Sequence, residues 1–249
     1  MRLFWHQLKA EQLTFWRSRE AAIFLFLFPP LLFVLLASAF GGGTENGRPV
    51  DSYLVAGLIG YAVANTALGG LAITLVVRRE YGILKRLRST PLPARLYLAA
   101  VVLSLMLIVA LQSAAVVALG VALYDAELPS EPLSFGLAVT VGAAAFAGLG
   151  LAAAALIRSA EAVAAVVNVI VLPMAFLSGS FGETDNLPRA LEIVADVLPL
   201  KYLIELVLAT YVDGEQAWDH LRAIAVVAVW GAGGYLVARA RFGWEPRER

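Results

Sequence analysis

Six Lys and Arg crowd into one stretch of this chain, Arg78 to Arg95, against a single acid, Glu80. Six cations on one segment can hold anionic headgroups or dock a protein surface. Elsewhere the groups that catalysis needs are missing. The two histidines, His6 and His220, lie at the edges of the first and last apolar segments. "SGSFG" (178–182) fails the G-x-S-x-G spacing of a nucleophile turn, and no histidine sits mid-segment to activate a serine. His–carboxylate clusters at ligand spacing do not occur, and cysteine is absent, so the sequence offers neither a metal site nor a disulfide. It also lacks a G-x-x-x-x-G-K-[ST] phosphate loop with which to hold ATP. No catalytic residue, metal ligand or cofactor site is expected on this chain.

The segments around that stretch are built for a solvent other than water. Of 249 residues, 60% are apolar and 15% charged, with a mean hydropathy of +0.78. Soluble domains run nearer roughly 45–50% and about 25%. A spanning helix needs about 20 apolar residues, at 1.5 Å rise each, to cross about 30 Å of hydrocarbon. Six segments meet or approach that length: Ala21–Phe40, Tyr53–Val77, Leu96–Tyr124, Leu133–Ile157, Ala162–Ser178 and Leu221–Ala238. None shows the alternation of a membrane barrel. The predicted fold class is an all-α polytopic membrane protein, one domain over residues 1–249.

Orientation follows from the cations. With both termini on one face, that face carries four Lys and Arg in the N-terminal arm, six in the insert, one at Arg158 and four in the tail, 15 of the 19. The opposite face keeps Arg48, Arg189, Lys201 and Arg222, and 13 of the 19 acids. Cytoplasmic loops carry the positive excess, so both termini and the insert are expected in the cytoplasm. Residues 1–20 read as an amphipathic helix in the interface plane, with Phe4, Trp5, Leu8, Phe15 and Trp16 on one face opposite His6 and Arg17. Ala37-Ser38-Ala39 follows an apolar run as a cleavage site would. The arm before it is long and carries both charge signs, so it is read as retained.

The last third is broken. Ala162–Ser178 is short and contains Pro173, and a polar loop follows. Residues 179–216 then supply two short apolar pieces divided at Pro199, with Asn186 and Pro188 placed to start the first. They are either interfacial helices outside or a re-entrant hairpin, since irregular backbone at depth must be buried in protein. Every charge can be placed at a segment boundary or in a loop. What remains inside is mildly polar, and Asn65, Thr66, Gln112 and Asn168 are the candidates for a substrate pathway. Each alone reads more simply as a hydrogen bond between helices. Together they suit a large, mostly apolar cargo better than a bare ion.

The insert has a shape as well as a charge. Arg78 to Ser89 allows about three helical turns, closed by Pro91 and Pro93, with Glu80 over Leu84, Ile83 over Leu87, and Gly82 as a point of close approach. Attraction to headgroups accounts for the arginines, but not for the acid, the glycine and the proline stop.

The stretch "RREYGILKRLRSTPLP" (78–93) resembles the cytoplasmic segment of type-2 ABC exporter permeases, in which R-E-x-G-x-L-x-x-L-x-x-T-P recurs between the second and third spans. Arg79, Glu80, Gly82, Leu84, Leu87, Thr90 and Pro91 match it. The likeness extends to the amphipathic arm, to "YLVAGLIGYAV" in the second span, to the six spans and to "LPLKYLIELV" before the last. Size and short loops resemble the daunorubicin-resistance-like drug exporters. The resemblance implies a non-enzymatic permease of a prokaryotic inner membrane. It would pair with a second copy or a related permease through spans one and five, where Phe33 and Val169 lie, rather than through Ala144 of the fourth span. It implies two copies of a separate ABC ATPase subunit holding ATP and Mg, coupled through the seven matched residues within 78–95, with membrane lipids as further partners and no nucleic acid. Glu80 would then pair with a cation, or cap a backbone donor, at the ATPase interface. The competing reading is a membrane scaffold or sensor that recruits a cytosolic partner or anionic lipid through the basic helix.

Overall fold

The computed structural model describes residues 2–45, 48–124, 126–182, 184 and 187–245. Six helical segments in it are long and apolar enough to cross a membrane. They are α2 (Arg19–Phe40), a composite second span, α6 (Ala94–Tyr124), α7 (Pro132–Leu156), α8 (Ala160–Leu177) and α11 (Leu221–Arg241). The second span joins α3 (Val50–Val63), a π-helical stretch (Ala64–Gly70) and α4 (Leu71–Glu80). Before them lies α1 (Arg2–Arg17). A two-residue ribbon, β1 (Thr44–Glu45) antiparallel to β2 (Arg48–Pro49), leads from α2 into the second span.

The insert departs from its sequence expectation. The second span continues to Glu80, and the separate helix α5 is only Ile83–Arg88. Gly82 makes the break. At φ 70° it holds the left-handed conformation that ends a helix, while its amide donates to the Arg79 carbonyl and the Tyr81 amide to that of Val77. Nothing lies within 4 Å of where a Cβ at Gly82 would sit, so backbone conformation rather than close approach selects this glycine. Glu80 and Leu84 consequently belong to different helices.

Small residues bring α7 and α11 together. A Cβ on Gly231 would fall 2.5 Å from the Ala145 Cα, and one on Gly148 would collide with the Gly231 carbonyl. Such contact is how helices associate where lipid removes the hydrophobic drive between them. The broken region also packs inward. In α10 (Pro199–Tyr211), Leu203 sits on Gly142 and Ile204 on Gly60. Trp230 donates from Nε1 to the Val197 carbonyl at 2.9 Å. Trp230 is nine residues from both Leu221 and Arg239, about 14 Å from each. The turn between α9 (Arg189–Ala195) and α10 therefore reaches midway along the sixth span. At the other end of α10, the Ser130 and Glu131 amides donate to the Tyr211 and Thr210 carbonyls. Asn186 lies outside the described residues, and Pro188 holds the N-cap position of α9.

Two of the polar residues expected to line a pathway instead join helices. Pro29 inside α2 has no N–H to offer the Leu25 carbonyl one turn below. Gln112 of α6 donates to that carbonyl from Nε2 at 2.6 Å, and its Oε1 accepts from the Thr66 hydroxyl at 2.9 Å. Gln112 and Thr66 are fully buried, so three spans meet at one amide. Gln112→Leu should lower stability by about 1 kcal/mol, more than Thr66→Val, because it alone strands the Leu25 carbonyl. Adding Pro29→Ala should restore much of the loss by supplying the missing N–H. Thermal unfolding of the purified variants in detergent measures this, and no recovery in the double variant would refute the account.

Candidate functional site

Three consecutive side chains at the end of α4 reach three different parts of the bundle. Successive residues on a helix point about 100° apart, so Arg78, Arg79 and Glu80 fan out around the axis. Arg78 grips both oxygens of Glu11 on α1, at 2.9 and 2.7 Å, and donates to the Tyr97 hydroxyl of α6 at 2.7 Å. A two-pronged guanidinium–carboxylate contact of this kind is strong and fixes orientation. Glu11 is buried at 7% exposure, which only a paired carboxylate tolerates.

Arg79 is 1% exposed and turns to the close of α7, where it donates to the Ala154 and Ile157 carbonyls. The last carbonyls of a helix have no partner of their own and form the negative end of its dipole, so a cation is the complementary cap. Glu80 turns to the opening of α8, where its carboxylate accepts from the Ala160 amide. There the dipole is positive and the amides are unpartnered, so an anion fits. Ser159 takes the next amide, that of Glu161, on its hydroxyl at 3.1 Å. The adjacent cation and anion thus clamp both sides of the short junction between spans four and five.

Beyond the clamp, α5 has two faces. Leu84 is fully buried and Leu87 packs partly against the core, anchoring the helix. Tyr81 is 71% and Ile83 41% exposed, beside the exposed Lys85, Arg86 and Arg88. The Ser89 and Thr90 hydroxyls donate back to the Arg86 and Leu87 carbonyls, closing the helix before the exposed Pro91. Of the seven matched residues, Arg79, Glu80 and Leu84 are engaged inside this chain, Gly82 shapes the turn, Leu87 is half-buried, and Thr90 and Pro91 face outward. The backbone donor that Glu80 caps belongs to α8 of its own chain.

The N-terminal arm divides its apolar stripe. Leu8 is buried, and Phe4 and Phe15 are half-buried beside it, while Trp5 and Trp16 are 61% and 46% exposed. Gln12 ties the arm to α6, donating to the Ser104 carbonyl at 2.9 Å and to its hydroxyl at 3.0 Å. The partnership of Glu11 with Arg78 was not foreseen in the sequence. The signal was there, since Glu11 falls three residues after Leu8 and four before Phe15 on the apolar stripe.

Of the remaining pathway candidates, Asn65 is half-buried in the π-helical stretch, a conformation frequent at functional sites. Asn168 is exposed, eight residues into α8. The turn after α9, which the sequence left either outside or in a re-entrant hairpin, carries an ion pair. Asp196 and Lys201 form an ion pair at 2.5 Å, about half and two-fifths exposed, close to the level of Trp230. Phe33 is fully buried against Tyr124, with ring centroids 5.2 Å apart, and cannot meet a second copy. Val169 is 74% exposed. The open face of α2 instead carries Phe24, Leu27, Leu31 and Leu35.

This architecture agrees with comparisons against known proteins. The family described as ABC-2 type transporter matches residues 2–212. A protein of Bacillus subtilis (strain 168) named "Putative transport permease YvfS" is 23% identical over 214 residues, covering 86% of this chain and 83% of that protein. This chain belongs to the ABC-2 type transporter family, as a multi-pass membrane subunit of an ABC transporter.

Proposed function

We propose that this chain is the permease of an exporter that carries an apolar or amphipathic cargo (a drug, lipid or natural product) out of the cytoplasm. A separate ATP-binding subunit holds ATP and Mg and docks on the exposed ridge of α5. The observation that carries the reading is the two-sided insert. Its outer face offers Tyr81, Ile83 and three cations, while its inner end is clamped to α1, α6, α7 and α8. A push on α5 enters the bundle at the end of α4 and reaches spans three, four and five and the arm together. Two copies of the chain meet across α8, whose midpoint exposes Asn168 to surroundings that hydrocarbon cannot provide. The exposed Asp196–Lys201 pair at a similar level asks for water in the same way, which supports a cargo path beside these residues. The likeness to daunorubicin-resistance-like exporters agrees with such a cargo.

The orientation is tested with single cysteines, since the chain has none of its own. In intact cells a membrane-impermeant thiol reagent should label a cysteine at Glu127 and spare one at Arg86. The reverse pattern would remove the insert from the cytoplasm and the coupling role with it.

The docking ridge and the clamp separate by mutation. Tyr81→Ala should weaken co-purification of the ATP-binding subunit about 30-fold, the loss of one aromatic anchor worth about 2 kcal/mol. Arg88→Gln should have a small, salt-dependent effect, since exposed ion pairs contribute about 0–1 kcal/mol. Glu80→Gln keeps an oxygen that can accept from the Ala160 amide and should retain both docking and ATP hydrolysis. Glu80→Ala removes the cap, at about 0.5–2 kcal/mol, and should bind the subunit yet fail to stimulate its hydrolysis. If binding follows net charge alone, falling in Arg88→Gln while Tyr81→Ala and both Glu80 variants leave it unchanged or stronger, the basic helix is a lipid or scaffold contact instead.

A further inference from the structure

A groove of about 810 Å³ opens on the flank of the bundle between α6, α7 and α11, away from α8. Leu98 and Val102 form one wall, Val141 and Leu151 another, and Tyr235 a third, over a floor of alanine and glycine where α7 and α11 touch. At the end that carries the termini, Arg95, Arg239 and Trp244 stand at its rim. Both arginines are exposed, and neither pairs with a described residue.

Length and charge together identify an occupant. From Ala228 to Arg239 the groove follows eleven residues of α11, about 16 Å, half of the roughly 30 Å hydrocarbon core. It is as long as one leaflet is deep. Its lining is mostly apolar, as an acyl chain needs, and Arg95 and Arg239 stand at the headgroup end. Trp244 lies at the level where indoles favour the interface. A pocket of this volume falls in the range of small-ligand sites, about 300–1,000 Å³.

We propose that this groove binds one anionic phospholipid from the leaflet at the basic end, with an acyl chain along α11 and the phosphate held by Arg95 and Arg239. No residue of α5 or α8 lines the groove, so it binds lipid as a fixed part of the bundle rather than as cargo.

Native mass spectrometry of the full chain in detergent, titrated with phosphatidylglycerol, phosphatidylcholine or inorganic phosphate, tests this. The intact chain should retain one phosphatidylglycerol in preference to phosphatidylcholine, and inorganic phosphate should not compete. Each arginine near a headgroup contributes about a five-fold preference, so Arg95→Gln with Arg239→Gln should erase roughly twenty-fold of it. Ala144→Trp, which keeps both arginines and fills the groove, should abolish retention of either lipid while the protein stays monodisperse. Equal retention of the two lipids would overturn the proposal, as would an unchanged preference in the arginine variant. Displacement by phosphate would reduce the site to an ion contact. Lipid retained in Ala144→Trp would place the binding elsewhere, and efficient crosslinking of two copies through Ala144→Cys would assign the groove to a protein contact.

Discussion

Inside hydrocarbon no water is at hand, so every backbone group freed by a helix end or a proline must find a partner within the protein. That constraint explains several of the polar side chains of this bundle. Gln112 serves the carbonyl released by Pro29. Arg79 serves the last carbonyls of α7, and Glu80 the first amide of α8. Trp230 serves the turn ahead of α10, and the start of α7 serves its far end. A buried arginine in a chain with so few charges looks expensive in isolation, but here it replaces the water that two carbonyls would otherwise require.

The same constraint governs the end of the second span. Helices α7 and α8 are separated by three residues, Ile157 to Ser159, too few to satisfy both helix ends by themselves. The end of α4 supplies what is missing, with opposite charges matched to opposite dipoles. A segment that completes two other helices cannot move without them. This is why the order of Arg78, Arg79 and Glu80 matters: each side chain is committed to a different neighbour, and the short helix that follows inherits a rigid base. The outward ridge of α5, with Tyr81 and Ile83 exposed, takes no part in that base.

Much of this was legible in the sequence, and the physical reason is the strength of the signal. Hydropathy over twenty residues fixes a span to within a few positions, so all six segments fell close to their observed helices. The insert drew notice through its charge and its family pattern. What the pattern does not encode is direction. Arg79 and Glu80 match the motif, yet they point inward, because a motif records residue types while burial depends on what three other helices bring nearby. Gly82 was noticed for the wrong property, since only φ distinguishes a left-handed turn from a close approach. Phe33 was placed at a contact between two copies, and the sequence offered no objection because α2 is apolar on all sides, and such a helix has no periodicity to say which face packs. Glu11 was the opposite case: an acid on an apolar stripe is a readable anomaly, and its partner was the arginine at the end of the second span.

Residues 179–216 show where composition stops being informative. Two short apolar pieces with charges between them suit the surface of a membrane as well as its interior. The decision rests on Gly60 and Gly142, whose missing side chains leave room for Ile204 and Leu203 to enter. Those glycines are distant in sequence from α10, and nothing local to α10 announces them. With Leu203 and Ile204 seated in those gaps, the turn before α10 lies against Trp230, and the partly exposed Asp196–Lys201 pair stands midway along α11 rather than in a loop beyond its end. A gap left by two absent Cβ atoms therefore sets how far the turn between α9 and α10 reaches along the bundle, and with it the level at which Asp196 and Lys201 pair.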